Sequence, residues 1–210
     1  MASGPGRPEV RYSCLMDYDA LTALIVVDVQ NDFASPSGSL SVPGGESVIP
    51  FINDQVRAAA DGGAQIVYTQ DWHPASTPHF ENDGGIWPVH CVGDTPGAEF
   101  HPDLDVVDDT IRIKKGVGGE DGYSAFNIRD PESGVESATG LADQLRELRV
   151  HKVVVLGLAL DYCVKETALD AMTAGFETVV LADGTSAVNL SPGDGSRAVA
   201  NLVAAGASVE

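Results

Sequence analysis

The stretch ALIVVDV, residues 23–29, is an aliphatic run of strand length in which a carboxylate interrupts the apolar pattern near the end. A strand that is apolar on both sides is typical of a parallel sheet, because helices cover both faces of such a sheet. The sequence therefore predicts a mostly parallel sheet. Four further runs have the same character: AQIVYT (64–69), TIRIK (110–114), KVVVLGL (152–158) and TVVLA (178–182).

Helical patterns separate several of these runs. The alternation of strand and helix predicts an α/β protein with a three-layer, doubly wound fold and helices on both faces of the sheet. A chain of 210 residues fits one such domain. Residues 1–19 lack apolar periodicity and are expected to form a flexible arm, so the domain is expected over 20–210. The predicted helices are at about 45–61, 139–149, 162–175 and 193–205.

The composition narrows the classes of partner. A net charge of −19 repels phosphate backbones and anionic membranes, so we expect neither nucleic acid nor a membrane as partner. The three cysteines lie far apart in sequence and indicate no disulfide framework. No signal peptide or membrane-spanning stretch is apparent, which favours a cytoplasmic protein. The sequence leaves open whether the chain forms a homo-oligomer.

Candidate reactive residues lie at the ends of the predicted strands. Asp28 ends the first run, Asp71 follows the second, Lys115 follows the third and Cys163 comes shortly after the fourth. Ligands of open parallel sheets bind beyond the carboxyl ends of the strands, where strand order reverses. We therefore expect these side chains to share one site. Lys114 competes with Lys115, because a central strand has two working faces.

Cys163 is a candidate nucleophile at the start of a predicted helix. Unpaired N–H groups there would lower the pKa of the thiol and could hold an oxyanion. Asp28, alone in an aliphatic strand, is expected to have a raised pKa and to take the thiol proton. With Lys115 as cation, these residues would form an acyl-transfer set. The alternative is a cysteine packed in the core, with Asp28 bonded to loop N–H groups and Lys115 solvated.

A group of metal-binding side chains occupies the stretch TQDWHPASTPHFENDGGIWPVHC, residues 69–91, which holds three of the five histidines. Asp71 and His73 are two residues apart and would share one face of an extended chain, to which His79 and His90 return through loops. Imidazole and carboxylate suit zinc, iron or manganese, so we predict one divalent metal. It could activate water or hold the substrate. The alternative is a polar loop whose histidines only form hydrogen bonds.

Seven segments match a known family in order, over about residues 22–190. They resemble the nicotinamidases among the isochorismatase-like cysteine hydrolases. The resemblance implies hydrolysis of the small amide nicotinamide to nicotinate and ammonia through a cysteine thioester. The segments are VVDVQNDF (26–33), DWHPASTPHF (71–80), WPVHC (87–91), TPGAEFHP (95–102), Lys115–Gly116, YSAF (123–126) and GLALDYCVKETALDA (157–171).

The resemblance also implies roles for individual residues. Asp28 would be the base, Lys115 rather than Lys114 the cation, and Cys163 the nucleophile. Backbone N–H groups of Ala159 and Cys163 would bind the oxyanion, and the link between Ala159 and Leu160 would carry a cis peptide. The metal would hold the pyridine nitrogen rather than attack the amide. Its ligands would be Asp71, His73, His79 and His90, and the substrate pocket would include Phe33, Trp87, Tyr123 and Leu160.

Three questions stay open at this point. The substrate could be another small amide, such as a carbamoyl or ureido compound. The protein could instead be a metallohydrolase that uses metal-bound water, with Cys163 structural, or a binding protein that kept the fold. The glycine-rich segment 116–122 could form a lid or only a linker.

Overall fold

The computed structural model describes residues 15–210; most of the predicted arm, residues 1–14, lies outside the described residues. At the end of that arm, the hydroxyl of Tyr18 donates to Gln55 Oε1 at 2.9 Å. Six strands form the main sheet: β1 (Thr22–Val27), β2 (Gln65–Asp71), β3 (Ile111–Lys115), β6 (Lys152–Leu158), β7 (Glu177–Ser186) and β8 (Ser208–Val209). Between β3 and β6 in sequence, β4 (Asn127–Arg129) and β5 (Glu136–Ala138) form a separate antiparallel pair.

In the described part of the chain, five α-helices accompany the sheet. None within residues 15–210 is long and apolar enough to cross a membrane. A π-helical turn, Leu160–Val164, lies between β6 and the fourth helix. The helices are α1 (Asn31–Ala34), α2 (Ile49–Gly62), α3 (Leu141–Glu147), α4 (Lys165–Thr173) and α5 (Asp194–Ala205).

The central strands β1, β2 and β6 bury both of their faces, as their apolar runs predict. The edge strand β3 differs, because its Arg112 and Lys114 are exposed. In β1, Leu24 and Val26 pack into the core on the α2 side, whereas Ala23, Ile25 and Val27 pack into the core formed with α3, α4 and α5. Successive side chains of a strand point to opposite faces, so an unbroken aliphatic run serves two cores at once. The predicted three-layer fold with helices on both faces is confirmed.

The strand order is β3-β2-β1-β6-β7-β8, and neighbouring strands are parallel. From β1 the chain builds outward through β2 and β3 on one side, and through β6, β7 and β8 on the other. Strand order therefore reverses at β1, and the crevice expected at such a point lies at the carboxyl ends of β1, β2 and β6. Asp28, Asp71 and the π-helical turn all lie at this edge.

Gly157 lets β6 approach β1 closely just below this crevice. It pairs with Val27 and has a φ of +114°. A Cβ at this position would lie 2.2 Å from the carbonyl oxygen of Val27. Only glycine fits both the backbone conformation and the spacing. This close approach places the turn that carries Cys163 next to Asp28.

Replacing Gly157 should therefore destabilise the fold more than replacing a glycine that has a positive φ but open space around it. We expect Gly157→Ala to lower the free energy of unfolding by about 2–4 kcal/mol, because strain and overpacking add. Gly63→Ala is the matched control, since Gly63 has a φ of +74° but nothing within 4 Å of the added Cβ. The control should lose about 1 kcal/mol. Urea unfolding checks this, and equal losses in both variants would contradict the steric account.

Candidate active site

A buried lysine joins two carboxylates at the carboxyl ends of β1, β2 and β3. Lys115 Nζ lies 2.6 Å from Asp28 Oδ2 and 2.8 Å from Asp71 Oδ1. It also donates to the carbonyl of Gly122. Burial by itself would lower the pKa of Lys115, but the two carboxylates outweigh burial and raise that pKa well above its ordinary value. Lys115 is therefore a permanent cation in the interior.

Asp28 has the properties of a proton acceptor near neutral pH. It is completely buried and leaves β1 with a φ of 47°. The hydroxyl of Thr69 donates to its Oδ1 at 2.6 Å. Burial raises the pKa of Asp28 to about 6, against the opposing effect of Lys115 and with a further upward contribution from Asp71. As the sequence predicts, Asp28 has a raised pKa.

Asp71 differs from Asp28 in its ionisation. Burial would raise its pKa, but the cation of Lys115 and the neighbouring His73 and His90 hold the pKa of Asp71 well below its usual range. Two carboxylates that share one lysine therefore have different affinities for protons. Asp71 stays an anion, whereas Asp28 can accept and release a proton.

Cys163 is buried within the π-helical turn that follows β6. Its Sγ lies within 4.8 Å of carboxylate oxygens of both Asp28 and Asp71. The expectation that the helix start lowers the thiol pKa is wrong. Burial and the two carboxylates raise the pKa of Cys163 well above its ordinary value, although Lys115 opposes them. A thiol in this position needs a base, and Asp28 is beside it.

The four predicted metal-binding residues are brought together by the fold. The side chains of His73, His79 and His90 are buried, and one nitrogen of each lies within 4.8 Å of the others. Asp71 Oδ2 is 3.7 Å from His73 Nε2 and 3.9 Å from His90 Nε2. Asp71 thus turns one oxygen to Lys115 and the other to the histidines.

Hydrogen bonds orient two of these imidazoles. His90 Nδ1 lies 2.7 Å from the carbonyl oxygen of Pro88, and His79 Nδ1 lies 2.7 Å from Asp121 Oδ1. Because these oxygens accept, Nδ1 is the donor in each ring, which leaves Nε2 as the nitrogen that can bind a metal. Burial also lowers the pKa of His90 to about 4, which keeps its ring neutral.

His73 gives a separate indication of a metal. Both of its ring nitrogens are buried, and neither has a hydrogen-bond partner among residues 15–210. Buried polar groups without partners are rare and costly, and a metal ion would satisfy such an imidazole. Neutral imidazoles and one carboxylate fit a divalent ion such as zinc, iron or manganese.

A small cavity connects the thiol of Cys163 with His79 and His90. Trp87 Nε1 donates to the hydroxyl of Tyr123 at 2.8 Å, and the rings of Trp87 and Tyr162 meet edge to face at 4.8 Å. Aromatic walls of this kind suit a flat ring. The lining residues are Phe33, Leu40, Val42, Asp71, His79, Trp87, His90, Tyr123, Ala159, Tyr162, Cys163 and Val188.

Two expectations about the turn after β6 need correction. Leu160, expected in the pocket, does not line this cavity; it packs against the core on the α3–α5 side, and Tyr162 contributes the wall instead. The cis peptide joins Leu158 to Ala159, not Ala159 to Leu160. Non-proline pairs share one preference for trans, so no local pattern marks the exception. The direction of a side chain in a π-helical turn likewise depends on how the turn packs.

Some residues that support the site carry no signal that the sequence analysis used. The amide of Gln30 donates to the carbonyl oxygen of Asp71 at 2.8 Å and accepts from the N–H of Asp71 at 2.8 Å, which fixes the end of β2 against β1. The hydroxyl of Thr69 donates a hydrogen bond to Asp28, and the carboxylate of Asp121 accepts one from His79. Gln30 lies inside VVDVQNDF, one of the segments that resemble the family, so its position could have marked it. Asp121 lies in the glycine-rich segment 116–122, whose composition suggested only a lid or a linker.

Comparison with known proteins assigns the chain to a family. Residues 22–209 match the isochorismatase domain model. The Escherichia coli nicotinamidase is 36% identical over 203 residues, 89% of this chain and 93% of that protein. The pyrazinamidase of Pyrococcus horikoshii in complex with zinc is 40% identical with a TM-score of 0.80, over 90% of this chain and 98% of that one. PnC1 from L. infantum in complex with nicotinate is 38% identical with a TM-score of 0.82, over 94% and 96%. This chain is therefore a member of the isochorismatase domain family.

Proposed function

We propose that this protein is a nicotinamidase, which hydrolyses nicotinamide to nicotinate and ammonia. The observation that carries the proposal is the position of Cys163 Sγ, within 4.8 Å of the Asp28 carboxylate and in the same aromatic cavity as His79 and His90. The thiol and its base lie on one side of the cavity, and residues that could hold a metal lie on the other. This arrangement suits a substrate whose amide group is attached to an aromatic ring with a nitrogen atom. The relatives that act on nicotinamide or bind nicotinate support this choice.

In the first half of the reaction, Asp28 takes the proton from Cys163 as the sulfur attacks the amide carbonyl carbon. The developing oxyanion would accept hydrogen bonds from the backbone N–H groups of Ala159 and Cys163. Asp28 then returns the proton to the amide nitrogen, the C–N bond breaks and ammonia leaves. The product is a thioester between Cys163 and the pyridine carbonyl.

In the second half, water attacks the thioester carbon and Asp28 accepts a proton from it. The C–S bond breaks as Asp28 passes that proton to the sulfur, which restores Cys163 as a thiol. The product leaves as nicotinic acid, which loses its own proton to water and becomes nicotinate. Lys115 keeps its charge throughout, because its pKa is far above neutral. It holds Asp28 in place and limits the energetic cost of a negative charge beside a second carboxylate.

The metal-binding residues would select and orient the substrate. Asp71, His73, His79 and His90 would hold one divalent metal, which would bind the pyridine nitrogen and polarise the ring. Tyr162 and Trp87 would contact the faces and edges of the ring. Among residues 15–210, no arginine or lysine lines the cavity, so a neutral amide fits better than one that carries a carboxylate.

Removing the nucleophile should stop turnover. We expect Cys163→Ala to lower kcat for ammonia release from nicotinamide by about 10⁴-fold or more, as expected for loss of a nucleophile. Cys91→Ala is the matched control, since Cys91 is also a buried free cysteine but does not line the cavity. It should keep kcat close to that of the wild type. Full activity in Cys163→Ala would rule out the thioester and favour attack by metal-bound water.

The activity should depend on the ionisation of Asp28. Only the carboxylate can accept the thiol proton, so with a pKa of about 6, kcat/KM should fall about tenfold per pH unit below that value. The fully active form is thus present above pH 6. Alkylation of Cys163 by iodoacetamide in metal-free protein, followed by peptide mass spectrometry, should show the same acid limb. If kcat/KM fell at low pH but the alkylation rate did not, the loss of activity would come from the histidines instead of Asp28.

Loss of one ligand should affect the metal and the ring more than the thiol. We expect His73→Ala to lower bound zinc on elemental analysis and to raise KM for nicotinamide. Its preference for nicotinamide over benzamide, which lacks the ring nitrogen, should shrink by about tenfold or more. His101→Ala is the control, because His101 is a buried histidine outside the cavity. Unchanged zinc content in His73→Ala would show that these residues hold no metal.

A further inference from the structure

The segment between Lys115 and Tyr123, residues 116–122, contacts both Lys115, which lies beside Asp28, and the metal-binding residue His73. The hydroxyl of Thr77 donates to the carbonyl oxygen of Gly119 at 2.8 Å. Gly116, with a φ of +75°, lies against the His73 ring, where a Cβ would come within 2.5 Å of the ring atoms. Lys115 donates to the Gly122 carbonyl. These contacts favour a fixed support over a loose linker.

Asp121 is the residue of this segment that reaches the metal-binding histidines. Its Oδ1 lies 2.7 Å from His79 Nδ1, and the two side chains are 17% and 4% exposed. The backbone of Asp121 pairs with that of Arg129, with N–H to carbonyl distances of 2.7 and 3.2 Å in the two directions. The carboxylate is therefore held by β4 as well as by its own segment.

His79 and His90 receive different partners at the same ring nitrogen. His90 donates to a neutral backbone carbonyl, whereas His79 donates to a carboxylate. A carboxylate at Nδ1 fixes the ring's orientation and makes Nε2 a stronger electron-pair donor. A mostly buried carboxylate therefore contacts His79, whereas His90 has only a backbone carbonyl. A loop with a purely structural role would not need this carboxylate.

We propose that Asp121 is a positioning residue that acts through His79 and sets the affinity of the site for its divalent metal. It holds the His79 ring by Nδ1, which leaves Nε2 as the nitrogen that can bind the metal. The inference rests on the metal site of the proposed function. It adds a fifth residue, outside the four ligands, from a segment that carries no metal-binding motif.

Zinc affinity measured by competition with a chromogenic chelator tests the inference. We expect Asp121→Ala to raise the zinc dissociation constant roughly 10–100-fold, the usual cost of losing a partner behind a metal-bound histidine. Asp121→Asn should give a smaller rise, because the amide oxygen can still accept from Nδ1 but has no charge. The alkylation rate of Cys163 should be the same in the wild type and in both variants, since Asp121 contacts His79 and not the thiol.

Glu120→Ala is the matched control for charge on the segment. The Glu120 carboxylate accepts from the N–H of Gly118 at 2.8 Å within the same segment, so its loss should leave zinc affinity unchanged. Thermal unfolding of the metal-free proteins shows whether each variant is folded, and the near-isosteric Asp121→Asn serves if Asp121→Ala is not. Wild-type affinity in both Asp121 variants would overturn the inference alone. Failure of the wild type to bind zinc or any other divalent metal would overturn the proposed metal site with it.

Discussion

The arrangement of the site depends on Lys115, a buried cation between two carboxylates. It joins the ends of three neighbouring strands, since Asp28 follows β1, Asp71 ends β2 and Lys115 ends β3. Without this cation, two buried anions would lie unpaired next to each other, which costs several kcal/mol per charge. The ion pairs also set proton affinities. They hold Asp71 ionised. Burial keeps the pKa of Asp28 at about 6 despite the opposing effect of Lys115, so Asp28 can exchange a proton near neutral pH.

Burial has opposite consequences for the two halves of the site. Around Cys163 it favours the protonated thiol, so in the proposed reaction a thiolate would form only when Asp28 takes the proton. In the histidine half it keeps His90 neutral and ready to bind a cation. Asp71 belongs to both halves, with one oxygen on Lys115 and the other on the histidines. The same low polarity therefore suits both acyl transfer and metal binding, because the charges differ on each side.

Most of the fold could be predicted, since long aliphatic runs have few alternatives to buried parallel strands. The place of the site followed from the same pattern, because parallel strands bring their carboxyl ends to one edge. Predictions that depended on side-chain direction or local electrostatics were weaker. Leu160 turned to the core instead of the pocket. The pKa of Cys163 went up instead of down, because burial and two neighbouring carboxylates raise it.

The layers of the fold, the edge at which reactive residues meet, and their chemical types could all be predicted from the order of amino acids. These depend on apolar periodicity and strand direction, which are local properties of the chain. The tertiary structure decided which oxygen faces which partner, the ionisation of Asp28 and Cys163, and the support of His79 by Asp121. Those properties depend on distances between residues far apart in sequence and on the exclusion of water, and neither quantity exists until the chain has folded.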